Sequence, residues 1–305
     1  MLTRTVDQSR EKGQETIVSA CELFGVNRQV YYRKKRSFSK RRYIAQQVVD
    51  LVQEQRMRMP RVGTRKLYYL LEDKLKALGV GRDKLFAILK ANHMLMKPKR
   101  SYRKTTDSHH RFRKHKNLIQ ELTLLKPEQV WVSDITYIGS RPNHRYLALV
   151  TDAYSKKIMG FDLSSSLSAG GAIRAMKKSL KQRSYKNKDL IHHSDRGLQY
   201  CCDDYQEVLL KNKIKCSMTE SYDPYANAIA ERVNGILKQE FMLEEYELGL
   251  PVMKEIVKES IDIYNNERPH LSCHMNTPSQ MHKQRKLKVK SYKKSDHIKA
   301  SFDMV

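Results

Sequence analysis

The chain has 305 residues, 40% of them apolar and 30% charged, with a formal net charge of +26 at pH 7. That length leaves room for two or three domains and at least one sizeable core, and the apolar fraction excludes a chain disordered throughout. No apolar leader and no membrane-length apolar run is present, and the five cysteines (21, 201, 202, 216 and 273) contain no Cys-x-x-Cys, so a secreted, membrane-spanning, disulfide-framed or zinc-ribbon protein is not expected and a cytoplasmic, nucleoid-associated one is.

The charge is unevenly placed. Residues 1–120 hold 30 Lys/Arg against 10 Asp/Glu, residues 121–282 hold 21 of each, and residues 283–305 hold 8 against 2. A basic front, a neutral body and a basic tail suit a polyanion, because cationic side chains attract phosphates at long range and release their counterions. A merely solvated basic surface, or a binder of ribosomal RNA, shares the charge but makes no demand on the neutral body.

Residues 14–36 read as helix, turn, helix. Ile17, Val18, Cys21 and Phe24 recur at helical spacing, Gly25 ends the first helix, and Asn27 caps a second one that carries Arg28, Gln29 and Arg33. A DNA-binding helix-turn-helix would present Arg28 and Gln29 to base edges; an ordinary helical hairpin with a charged face fits the same pattern. Residues 40–59 form a separate amphipathic helix in this reading, ended by Pro60 and Gly63. Thr64 caps a helix running past Leu75, and after Gly79-Val80-Gly81 a further helix covers Arg82–Asn92. This is a second helix-turn-helix candidate, with Arg82 and Lys84 at the start of its second helix, and a plain packing unit is the competing reading. The expected domains are 1–42, an N-terminal helix-turn-helix; 43–96, a second helical DNA-binding domain; 97–125, a basic linker; 126–282, the body; and 283–305, a basic tail. The linker's histidines 109, 110 and 115 sit in a cationic setting that suits phosphate tracking better than metal.

After Pro127 the pattern changes to strands: Val130–Ile138, Arg145–Thr151 and Lys157–Leu163, joined by short loops as in an antiparallel meander. A helix over Ala169–Gln182, a strand over Leu190–Ser194, a helix over Tyr200–Lys211, a strand over Ile214–Met218 and helices over Asn227–Leu243 and Pro251–Asn266 complete an α/β body, a mixed sheet with helices on its faces. Three carboxylates stand out. Asp134 lies mid-strand in an apolar run, where an uncompensated charge is costly. Asp195 follows a strand directly, with Gly197 letting the backbone turn away, and Glu231 lies on a helix whose buried stripe is Ala230, Val233, Leu237 and Phe241. Asn234 and Lys238 follow Glu231 at i+3 and i+7. Hard oxygen ligands of this kind suit a pair of Mg²⁺ ions that activate one oxygen and stabilise another. Taken singly, Asp195 is equally readable as a turn cap and Glu231 as a solvated helix residue.

Taken together they carry a resemblance. Trp131-Val-Ser-Asp134-Ile-Thr, His193-Ser-Asp195-Arg-Gly-Leu-Gln-Tyr200 and Asp223-Pro-Tyr-Ala-Asn-Ala-Ile-Ala-Glu231-Arg-Val-Asn234-Gly-Ile-Leu-Lys238-Gln-Glu240, with 35 residues between Asp195 and Glu231, resemble the three catalytic blocks of the insertion-sequence DDE transposases related to retroviral integrases. Tyr264-Asn-Asn-Glu-Arg268-Pro-His270 followed by Thr277-Pro278 is similar to that family's C-terminal signature, and the helical front resembles the second reading-frame product of such elements. The resemblance implies an RNase H-like core with a mixed five-stranded sheet, and catalysis and metal binding by Asp134, Asp195 and Glu231. It implies two Mg²⁺ (or Mn²⁺) ions and action on double-stranded DNA, both the element's terminal inverted repeats and the target. It further implies a homo-oligomer on paired ends, with an upstream-frame product of the element as a further partner. Asn234, Lys238 and Arg268 join Arg28, Gln29, Arg33, Arg82 and Lys84 as expected DNA contacts. No His-His-Cys-Cys module precedes the core, so no structural zinc is expected. The rivals are a structure-specific nuclease on the same fold, a DNA-binding regulator without activity, and a tyrosine recombinase using His193 and Arg196 with Tyr222 or Tyr225. The last needs a helical catalytic domain where three strands are expected.

Overall fold

The computed structural model describes residues 16–97, 115–139, 144–219 and 228–284. Most of the basic linker (98–114), the loop 220–227 with the first part of the third block, residues 1–15 and the tail from 285 lie outside them. The chain divides into two units, one of residues 1–57 with 71–95 and one of 58–70 with 96–305.

In the first unit, α1 (Ile17–Leu23) is capped by Thr16, whose hydroxyl accepts from the Ser19 amide at 3.2 Å. Gly25 takes the left-handed conformation (φ 60°), and the Val26 amide reaches back to the Cys21 carbonyl at 2.8 Å, closing the helix end. The Asn27 side chain then accepts from the Gln29 amide at 2.8 Å and starts α2 (Arg28–Arg58). Ala20, Cys21 and Tyr31 form the small core of this hairpin. The expected break near residue 37 is absent. Ser37, Phe38 and Ser39 contain neither Gly nor Pro, nothing there stops a helix, and α2 runs 31 residues through the expected boundary at 42/43. The single helix expected from Thr64 is two: α3 (Thr64–Leu70), which belongs to the second unit, and α4 (Glu72–Ala77) of the first, with α5 (Arg82–Ala91) following as expected.

The second unit is built on a five-stranded sheet of order β3-β2-β1-β4-β5, comprising β1 (Val130–Ile138), β2 (Arg145–Asp152), β3 (Ile158–Ser164), β4 (Ile191–Ser194) and β5 (Lys215–Met218). The first three strands are antiparallel, and β4 and β5 add in parallel beside β1. This is the RNase H-like mixed sheet. The antiparallel turns are short, and the two parallel pairings each need a helical crossover. Those crossovers are α6 (Ala169–Gln182) before β4, and α7 (Leu198–Cys201) with α8 (Asp203–Lys211) before β5. The single helix expected over 200–211 is thus two, parted at the extended residue Cys202.

Alternation along β1 sorts the two faces. Trp131 joins Ala148, Met159, Met176, Tyr205 and Leu209 in the core under α6 and α8. Val130 and Val132 pack on the other face with Ala153 and Ala230 of α9 (Ala228–Gln239). Gly160 on β3 allows the close approach of α6, since a Cβ there would stand 2.4 Å from the Ala175 carbonyl oxygen. α10 (Leu250–Asn266) is followed by a 3₁₀ turn at Leu271–Cys273 and by the unexpected α11 (Pro278–Lys283), which Thr277 and Gln280 start with a capping box. α11 is pinned by His282, buried between Glu128 (3.1 Å) and the Ser155 hydroxyl (3.1 Å). Burial disfavours the charged ring there, but Asp152 and Glu128 outweigh it and raise its pKa. No helix among the described residues is long and apolar enough to cross a membrane.

Candidate active site

The parallel register of β1 and β4 pairs Val132 with His193. Two residues on, the same register sets Asp134 beside Asp195, just past the end of β4. Partners in a parallel pair point to one face, and neighbouring strands lie about 4.8 Å apart. His192 braces the pairing from the opposite face. Its Nε2 meets the Ser133 hydroxyl at 2.8 Å and the Tyr205 hydroxyl at 2.9 Å, and burial pushes its pKa down to about 3, so it stays neutral.

The third carboxylate arrives on α9, which tracks β1. Ala230 packs on Val130 and Val132, the Asn234 amide donates to Asp134 Oδ2 at 2.6 Å, and Lys238 Nζ approaches the Thr136 hydroxyl at 3.5 Å. Steps of four along the helix match steps of two along the strand because the rises agree, about 6 Å against about 6.7 Å. Glu231 therefore enters from the first turn of α9, adjacent to Ala230, with an exposed side chain.

Electrostatics tie the three together. Asp134 accepts from the Ile135 amide at 2.9 Å and from Asn234, yet its pKa is raised to about 7. Burial is the largest cause and the Asp195 charge the next. The two hydrogen bonds oppose the rise, and Glu231 adds to it. Among the described residues no three His, Cys, Asp or Glu side chains are grouped so as to hold a metal ion. The Asp195 and Glu231 charges disfavour the Asp134 anion, and a bound cation would offset them. By donor chemistry the set fits a hard cation with oxygen ligands.

Asp195 Oδ1 accepts from the Gly197 amide at 3.1 Å. Gly197 has ordinary extended backbone (φ −66°), so the expectation that it frees a sharp turn is corrected. It is small for another reason: a Cβ there would sit 3.0 Å from Asp195 Oδ1 and 3.1 Å from Gln199 Oε1.

Arg268 is also corrected. Expected on DNA, it is 1% exposed. Its Nε and Nη2 bind the two oxygens of Glu240 at 2.8 Å each, and Nη1 meets His270 Nε2 at 2.7 Å. A buried fork so occupied is not offered to phosphate. His270 can accept that bond because burial, with the Arg268 charge, holds its pKa down at about 2. Burial raises the Glu240 carboxyl, but Arg268 and Lys66 outweigh it and leave it below the ordinary value; Lys66 Nζ lies 3.1 Å from Glu240. Tyr264 and Asn265 complete the role of this signature. The Tyr264 hydroxyl donates to the Lys156 carbonyl, and Asn265 pairs with both backbone groups of Ile158. The signature is a clasp that holds the end of α9 and the edge of β3. Glu240 and Lys66 were not singled out beforehand, and a charged residue closing the third block was the available signal for Glu240.

Asn234, 4% exposed and committed to Asp134, is likewise a positioning group rather than a DNA contact in this state. Its Oδ1 is buried without a partner. The Tyr200 hydroxyl, also buried without one, feels both Asp134 and Asp195, and burial with those charges raises its pKa. Arg28, Gln29 and Arg33 on α2, and Arg82 and Lys84 on α5, are exposed in the first unit.

Residues 125–224 match a family model described as an integrase core domain, and residues 212–278 match a second of the same description. An uncharacterized 31 kDa protein of insertion element IS600 from Shigella sonnei is 31% identical over 256 residues, 82% of this chain and 92% of that one. Transposase InsF for insertion sequence IS3A from Escherichia coli K12 is 30% identical over 214 residues, 69% of this chain and 74% of that one. Among solved structures, the catalytic core of HTLV-2 integrase in complex with magnesium aligns with a TM-score of 0.41 and 19% identity, over 52% of this chain and 98% of that one.

Proposed function

Since the chain belongs to the insertion-sequence transposases with an integrase core domain, DDE polynucleotidyl transferases of DNA transposition, we propose that it binds the terminal inverted repeats of its element, cleaves there and joins the freed ends to target DNA, with Asp134, Asp195 and Glu231 as the catalytic carboxylates. The observation that carries this reading is the buried Asp134 carboxyl, raised to about 7 first by burial and then by the Asp195 charge, with Glu231 adding to it. A carboxylate cluster this strained is a ready receiver for cations.

Asp134, Asp195 and Glu231 would hold two Mg²⁺ or Mn²⁺ ions. When bound, these supply Lewis-acid activation of the attacking oxygen and stabilisation of the leaving one. Asn234 keeps the Asp134 carboxylate aimed, and Lys238, one helical turn further along α9, is placed to meet a DNA phosphate. Water first displaces the 3′ oxygen at the element end, leaving a 3′-hydroxyl. That hydroxyl then attacks a target phosphodiester and expels another 3′ oxygen, with no covalent protein–DNA intermediate. Arg28, Gln29, Arg33, Arg82 and Lys84 are the proposed end-binding residues, and a homo-oligomer on two paired ends, with or without an upstream-frame product, is the proposed assembly. The helical front, 1–96, and the tail from 283 are proposed as DNA-binding parts around the 126–282 core.

The test is a gel assay of labelled element ends with and without Mg²⁺. Cleavage and joining by the wild type, both lost in Asp195→Asn and Glu231→Gln while end binding persists, is the expected result. Cutting of junctions without joining, or joining that survives either substitution, would overturn the reading.

A further inference from the structure

α2 is about 46 Å long at 1.5 Å per residue. Tyr31 anchors one end in the hairpin core, and Val48, Val49 and Val52 are buried toward the other. Between these anchors every residue from 32 to 43 is exposed. Seven of the twelve are basic, namely Arg33, Lys34, Lys35, Arg36, Lys40, Arg41 and Arg42, and none is acidic. At about 100° per residue the seven charges surround the helix, with no gap wider than roughly 100°. A helix normally draws its stability from one packed face or from opposite charges at i,i+4, and this stretch has neither. Its like charges work against it until a polyanion surrounds them.

The all-round distribution decides how the polyanion lies. A helix resting on a flat row of phosphates needs charge on one side only. A helix lying in the major groove has a phosphate row on each flank, and the groove, about 12 Å wide, admits a helix about 10–12 Å across. We infer that residues 33–42 of α2 are a sequence-independent DNA site that lies along the major groove between the two phosphate rows. This rests on the DNA-binding reading above but is separable from it, because none of the base-reading positions Arg28 and Gln29 is involved.

The experiment measures binding of the full chain to a mixed-sequence duplex against salt, with dimethyl sulphate protection of guanine N7 to report the major groove. The test variant is Lys34→Gln/Arg36→Gln/Lys40→Gln/Arg42→Gln, and a charge-preserving partner carries Lys34→Arg/Arg36→Lys/Lys40→Arg/Arg42→Lys. At about 0.9 per phosphate, the slope of log affinity against log salt should fall by about 3.6 in the first, which makes affinity roughly 100-fold less sensitive to a fourfold salt change. The second should keep the slope. Guanine protection should weaken in the first variant alone. A slope unchanged by the fourfold charge loss, while the wild type still binds in a salt-dependent way, would overturn the site and leave the DNA-binding reading intact. Absence of salt-dependent binding by the wild type would overturn both. Should the fourfold variant not fold, Lys34→Gln/Arg42→Gln carries the same test at half the change in slope.

Discussion

Asp134→Asn should stabilise the metal-free protein above neutral pH. The Asp134 carboxyl moves from an ordinary value near 3.8 to about 7, which corresponds to about 4 kcal/mol against the folded anion. Partial solvent access screens this to ~2–3 kcal/mol. The sign follows from proton binding. Below the unfolded pKa both states hold the proton and there is no penalty; between that value and about 7 only the folded state keeps it, and the penalty grows; above about 7 it is complete. The neutral amide removes it. The new side chain also finds a partner, because Asn234 can rotate its amide and present Oδ1, now buried without one, to the new NH₂. For a unit of this size the gain is about 4–12 °C in thermal midpoint near pH 8, vanishing by about pH 4. Thermal unfolding by circular dichroism in a chelator, across pH, reads it directly. A variant no more stable than wild type near pH 8, or one whose advantage is the same at all pH values, would refute the electrostatic description of the site. Adding Mg²⁺ should stabilise the wild type and do little for the variant.

Asn234→Ala removes a donor from the Asp134 anion; the Asp134 pKa should rise further, the acidic limb of the cleavage–pH profile should move to higher pH, and activity at neutral pH should fall about 10–100-fold. An unmoved profile counts against the positioning role. Arg268→Met takes both guanidinium bonds from Glu240, leaving only Lys66 against that buried carboxylate, and should cost ~3–5 kcal/mol, or about 6–20 °C. Because the Glu240 pKa lies below its ordinary value, the wild-type advantage should shrink as acid protonates that carboxylate, which a pH series of melts will show. Gly160→Ala drives a methyl against the Ala175 carbonyl and Ser179 and should cost ~1–3 kcal/mol by overpacking, read by denaturant midpoint.

The body was legible in sequence because its patterns are local. β1 and α6 fall where alternation and helical spacing put them, and the buried stripe Ala230, Val233, Leu237 and Phe241 is buried in fact. The three carboxylates were legible only as a set, since what joins Asp134 to Asp195 is a parallel register that no local pattern encodes. Arg268 was misread for the same reason: an arginine bound for a buried carboxylate and one bound for phosphate look alike until the partner, 28 residues away, is known. The hairpin was read as ending at residue 36 and a separate helix as beginning at 40, yet the residues between carry no Gly or Pro and the modest helix propensity of serine imposes no break. The short α11 owes its place to His282, gripped by Glu128 and Ser155 from far along the chain.

Manganese bound to the protein on a duplex element end, counted by electron paramagnetic resonance, reaches the central claim without relying on turnover. About two ions per catalytic unit are predicted, with loss of tight binding when Asp134, Asp195 and Glu231 are replaced together by Asn, Asn and Gln while the DNA stays bound. An equal count of tightly held manganese in that triple variant would contradict the account.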